Sequence, residues 1–193
     1  VLALNAEFLG QPWFQFSQDH QRQRDGLATS LPLERQAVQA LTLQLFHPLS
    51  QLYVQQYYSD TTRREITLMV GHIKAEFARR LKTNPWLDAP TRAAALAKLA
   101  KVDIQVGYPQ RWIDFSGVDI RADDHLGNNQ RLAAFRLQRD LDKVGKPTVR
   151  ERFAEVGHTT PTAVNAAYDP QLNGIDLTAA ISQPPFYTPG ADP

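Results

Sequence analysis

One stretch limits the fold more than any other. From Thr62 to Leu81, apolar residues recur every three or four positions, at Ile66, Met69, Val70, Ile73, Phe77 and Leu81. That spacing puts them on one stripe of a helix at least five turns long. Thr62 and Glu65 fit a capping box at its start, and Asn84-Pro85 ends it. A helix of that length needs other elements to cover its stripe, and the neighbouring segments also read mostly as helical. Val38, Leu41, Leu45, Leu49 and Leu52 share one face, with a kink or restart expected at Pro48. Asp88 can cap a helix carrying Ala93, Leu96, Ala97 and Ala100, with Pro90 in its first turn. A further helix is expected from Asp123 to Val144, with Leu126, Ala133, Leu137, Leu141 and Val144 inward and Gly145 and Pro147 as stops.

The period changes to two in only two places. Val102, Ile104, Val106 and Tyr108 alternate with other residues and predict a short strand. Val164 to Tyr168 and Ile175-Asp176-Leu177 flank the turn signals Asp169-Pro170 and Asn173-Gly174, which predicts a hairpin with a longer loop. The expected fold class is therefore mainly α with a small β-hairpin near the C-terminus. The expected organisation is an irregular segment over 1–30, a helical segment over 31–160 and the hairpin segment over 161–193. The chain starts at Val1 and ends in Thr-Pro-Gly-Ala-Asp-Pro193, which reads as a segment of something longer.

Composition excludes several functions. Lys and Arg total 21 against 20 Asp and Glu, so there is neither a basic field for nucleic acid nor a polybasic membrane patch. There is no cysteine, hence no disulfide and no thiolate metal site. No apolar run approaches the roughly 18 residues of a membrane span. None of His20, His47, His72, His125 and His158 falls in His-Glu-x-x-His, the pair of imidazoles one helical turn apart that grips zinc. Each is expected to be a surface or structural residue. Trp86, Trp112, Tyr108 and Phe115 flank apolar faces and are expected to pack rather than to form a recognition surface. From spacing alone, no catalytic residue and no metal ligand can be assigned.

Four strings, taken in order, carry more. They are Leu52-Tyr-Val-Gln-Gln-Tyr57, Thr91 to Ala100 followed by Val106-Gly-Tyr-Pro-Gln-Arg-Trp112, Val164-Asn-Ala-Ala-Tyr-Asp-Pro-Gln-Leu-Asn173, and Ile181-Ser-Gln-Pro-Pro-Phe186. Their order and intervals resemble the neprilysin / endothelin-converting enzyme family of zinc metallopeptidases, in a bacterial-type member, upstream of the zinc motif. The resemblance implies part of a two-lobed helical metallopeptidase architecture and peptide-bond hydrolysis by the full-length enzyme. It implies zinc as the cofactor of that enzyme, with none expected on this chain, which lacks the ligand pair. It also implies an extracytoplasmic location, periplasmic or secreted. The implied partners are a peptide substrate and either a missing catalytic half or self-association, with Leu177, Ile181 and Phe186 the expected exposed members of the docking surface.

The resemblance assigns substrate binding to Asn165 and Ala166, on an edge strand that holds a peptide as an added strand. An edge strand offers unpaired N–H and C=O groups, and an Asn amide supplies both a donor and an acceptor. Several positions depart from the family pattern: Ala167 stands at the first of two aromatic positions, the second being kept as Tyr168, Gly174 where an acid is usual, Asp176 at an apolar site, and Leu177-Thr178 in place of Phe-Pro. A buried Asp176 needs a partner. Two readings stay open: a portion of a metalloendopeptidase without its zinc ligands, and a non-catalytic remnant or pseudo-peptidase that folds and binds peptides or a partner.

Overall fold

The structure is a computed structural model that describes residues 6–147, 152–153 and 159–190. His158 lies outside the described residues. The chain divides into two compact units, Val1–Leu45 with Asp114–Val149, and Phe46–Ile113 with Arg150–Pro193.

The first unit is helical. It holds a short 3-10 turn at Ala6–Phe8, then α1 (Gln11–Asp25), α2 (Leu33–Gln44) and α6 (His125–Leu141). Helix α1 corrects the expectation of an irregular first thirty residues. Its sequence is polar, with only Gln18 buried, so it shows little apolar stripe. Its ends do carry signals: Pro12 in the first turn and Gly26 in the left-handed conformation at the C-cap. Asp124 caps α6 through Gly127 N–H at 2.9 Å, and Leu132 is its buried apolar residue. The expected inward residues Leu137, Leu141 and Val144 are exposed, as is Ala133.

The second unit carries α3 (Phe46–Tyr57), α4 (Asp60–Thr83), α5 (Ala89–Ala100) and the strands β1 (Asp103–Gly107), β2 (Ala166–Asp169) and β3 (Gly174–Thr178). The helical restart falls at Leu45, and Pro48 sits in the first turn of α3, where its missing N–H costs nothing. Asp88 caps α5 through Thr91 N–H at 2.7 Å. On α4 the cap is Ser59, which accepts from Thr62 N–H at 3.0 Å, in place of the expected Thr62–Glu65 box.

Glu65 instead accepts from the Tyr187 hydroxyl at 2.5 Å, which ties the segment after Pro185 to α4. The carboxylate stabilises the phenol over the phenolate and pushes Tyr187 up to about 12. A pKa raised on folding means that this link is fully present below about pH 10 and is lost as pH rises through about 12. The expected result in an ultraviolet titration is one tyrosine ionising near 12 that returns toward about 10 in Glu65→Gln.

The strands form one sheet in the order β1-β3-β2, with β1 and β3 parallel and β2 and β3 antiparallel. The hairpin is as the turn signals predict, and β1 joins it from much earlier in the chain. At the end of β1, Gly107 has φ +84°, and an added Cβ would lie 2.5 Å from the Tyr58 ring. Tyr58, Val54 and Ala179 form a small buried cluster, with Tyr53, Tyr108 and Trp112 packed against it. Gln183 donates to the Tyr53 hydroxyl at 3.0 Å. All four strings of the sequence thus have members in this one unit, and three of them meet at this cluster.

His47 is structural. It is 2% exposed, accepts from Ile113 N–H at Nδ1 (3.0 Å) and so carries its proton on Nε2, 2.8 Å from the Phe153 carbonyl. His20 and His72 are exposed, and His125 packs on Phe8 with ring centroids 5.2 Å apart. Much of the α4 stripe is open: Ile73 is 61% and Phe77 54% exposed, and both line an apolar groove of about 420 Å³ with Ile104, Tyr168 and Ile175. Of the residues expected in a docking surface, Phe186 is exposed and Leu177 and Ile181 are half-buried. Trp86 is also exposed, against the expectation that it packs.

Candidate functional site

The candidate site is the outer edge of β2. In the order β1-β3-β2 only one side of β2 is paired among the described residues, so alternate residues present their backbone groups to an open edge. The strand begins at Ala166, two residues after the expected start at Val164. Asn165 therefore stands at its entrance. Its carbonyl accepts from Thr178 N–H at 3.4 Å and lies 2.8 Å from the Thr178 hydroxyl, so its backbone faces β3. By alternation, the backbone groups of Ala166 and Tyr168 face outward, and those of Ala167 face β3.

The Asn165 side chain completes this arrangement. Its Oδ1 accepts from Ala166 N–H at 2.8 Å, which leaves the Nδ2 donors without a described protein partner. The half-buried Asn165 and exposed Ala166 then offer, side by side, the two Nδ2 hydrogens of Asn165 and the Ala166 carbonyl, the Ala166 N–H being taken. Tyr168 adds an outward N–H and C=O, and its own hydroxyl bonds Asn173 Oδ1 at 3.0 Å across the turn.

Thr178, Asp176 and Gly174, three of the residues that depart from the family pattern, have local explanations. Thr178, where a Pro would have no N–H to give, bonds Asn165 by both backbone and hydroxyl. Asp176 is 7% exposed and is partnered by Arg152, which sequence reasoning missed. Arg152 Nε donates to Asp176 Oδ2 at 3.2 Å, and Nη2 lies 2.9 Å from Oδ1. Burial pushes the Asp176 carboxyl up, against the pull of Arg152. Gly174 makes room for the pair, since a Cβ there would fall 1.3 Å from Arg152 Nη1.

Among the described residues, no three His, Cys, Asp or Glu side chains come together as a metal site. This donor set does not fit zinc. No helix among the described residues is long and apolar enough to cross a membrane.

The N-terminal model of peptidase family M13 matches residues 1–109, more than half of the 193. The chain belongs to peptidase family M13. Among M13 relatives, Neprilysin-11 of Caenorhabditis elegans is 26% identical over 97% of the chain and 23% of its own length. The zinc metalloprotease Zmp1 of Mycobacterium tuberculosis in its open state superposes with a TM-score of 0.88 at 31% identity, covering 99% of the chain and 29% of that structure. PepO of Lactobacillus rhamnosis HN001 gives a TM-score of 0.84 at 26% identity, covering 98% of the chain and 30% of that structure. The chain thus spans about a quarter of the length of the M13 proteins it matches.

Proposed function

We propose that this chain supplies the helical scaffold and the peptide-docking edge of a neprilysin-like zinc metalloendopeptidase. An extended peptide adds as a fourth strand beside β2. It accepts from Asn165 Nδ2, donates to the Ala166 carbonyl and exchanges hydrogen bonds with the outward N–H and C=O of Tyr168, the Ala166 N–H being held by Asn165 Oδ1. The observation that carries this reading is the unpaired edge of β2, entered by an Asn whose amide donors have no described partner. Because the described donor set does not fit zinc, no hydrolytic step is assigned to these residues. The zinc-bearing portion of the family fold is the partner on this reading, and an extracytoplasmic location, periplasmic or secreted, belongs to it.

The test is a titration of the isotope-labelled chain with the capped peptide acetyl-Ala-Phe-Ala-amide, followed by amide chemical shifts. Shifts are expected to concentrate at Asn165 to Asp169. Asn165→Ala is expected to weaken binding about 10-fold, which corresponds to about 1.4 kcal/mol for a lost positioning hydrogen bond. An unchanged affinity in Asn165→Ala would count against the clamp.

A further inference from the structure

The two faces of the sheet are both partly buried, one apolar and one polar. Along β3 the buried residues are Gly174, Asp176 and Thr178, and the half-buried ones between them are Ile175 and Leu177. The apolar rung Ile104, Ile175 and Tyr168 faces the open groove instead. Register is ordinarily set by which side chains belong inside, and a slip of one residue exchanges the two faces. Here the apolar pattern alone holds the register weakly: Val106, beside Leu177, is 4% exposed, but Ile175 and Leu177 themselves are only half-buried. A buried polar pair on the opposite face adds the missing constraint.

We infer that Arg152, acting through Asp176, sets the register of this sheet and so decides which groups β2 shows at its free edge. The guanidinium lies over Gly174, in the one place on β3 without a side chain. It is bonded to Asp176 two residues along β3 and lies 3.8 Å from Asp103, the register partner of Gly174 on β1. Asp176 in turn stands opposite Ala167 of β2. With β3 slipped by one residue, Ile175 would lie beneath the guanidinium and Asp176 would turn to the other face. A side chain only 2% exposed would keep its charge and lose its nearest counter-ion. Arg152 is a positioning residue. Its bearing on peptide docking rests on the function proposed above, whereas its effect on register does not.

The chain has no cysteine, so an introduced pair reports register directly. Ala166 and Leu177 are register partners, and the Asn165–Thr178 bonds next to them make theirs the closely spaced, non-hydrogen-bonded rung. Chain carrying Ala166→Cys and Leu177→Cys is expected to form the disulfide nearly completely under mild oxidation. Adding Arg152→Met with Asp176→Val should lower the yield at least about fivefold while helical circular dichroism is retained, because paired apolar replacements often preserve stability. Adding Arg152→Lys alone should restore most of the yield. If the Met/Val variant does not fold, Asp176→Asn is the substitute, with a fall of about threefold expected. An unchanged yield in the folded Met/Val variant, or in Asp176→Asn, would overturn the register assignment. No peptide enters this measurement, so its failure and the failure of the docking reading are separable.

Discussion

Replacing Asp176 with Ala is expected to destabilise the second unit by about 3–5 kcal/mol, the cost of stranding a buried charge. Arg152 has a side chain 2% exposed and cannot reach water without leaving its place over Gly174. Asp103 remains 3.8 Å away but is itself 58% exposed, so it compensates only in part. The expected value therefore lies toward the lower end of that range. Most single domains have about 5–15 kcal/mol in total, so a loss of this size is a large shift of the urea midpoint. Removing both charges with Arg152→Met and Asp176→Val should cost far less than Asp176→Ala alone. A single and a double variant of equal stability would mean that the pair is not a coupled unit.

Gly107→Ala is expected to cost about 3 kcal/mol, from two separate sources. The backbone at φ +84° is a region that residues with a Cβ rarely adopt, and the strain amounts to about 1–3 kcal/mol. The new methyl would also sit 2.5 Å from a ring carbon of Tyr58, and overpacking of this kind costs about 1–3 kcal/mol. Tyr58 cannot yield easily. It is 8% exposed and packs edge-on against Tyr108, which is stacked on Trp112 and covered by the Arg63 guanidinium at 4.0 Å. The two sources separate in a double-mutant cycle: in a Tyr58→Leu background, Gly107→Ala should cost at least about 1 kcal/mol less. Equal costs in the two backgrounds would assign the whole effect to the backbone.

What could be read from the sequence was local. The helical period of α4, the Asp88 cap, the alternation of β1 and the turn residues between β2 and β3 all act over a few residues, and each predicts its element. The helix α1 was missed because its polar residues give no stripe, although Pro12 and Gly26 mark its ends. The apolar stripes located the helices but not their buried faces, since Leu52, Ile73 and Phe77 remain largely exposed. The Val164-Asn-Ala string points to the segment proposed as the docking edge, and the departures at Gly174, Asp176 and Thr178 are visible as anomalies. Their resolution was not visible, because Arg152 lies 24 positions from Asp176 and no spacing rule connects them. Thr178 likewise gains its role only when the hairpin brings it onto Asn165.

The claim that β2 docks an extended peptide is tested most directly by intermolecular nuclear Overhauser effects between the labelled chain and unlabelled acetyl-Ala-Phe-Ala-amide. The account predicts cross-peaks from the peptide backbone to the Hα and amide protons of Ala166 and Tyr168, with an alternating pattern along β2. Cross-peaks to Ile73 and Phe77 in the apolar groove, or to the outer side of β1, with none to Ala166 and Tyr168, would contradict it.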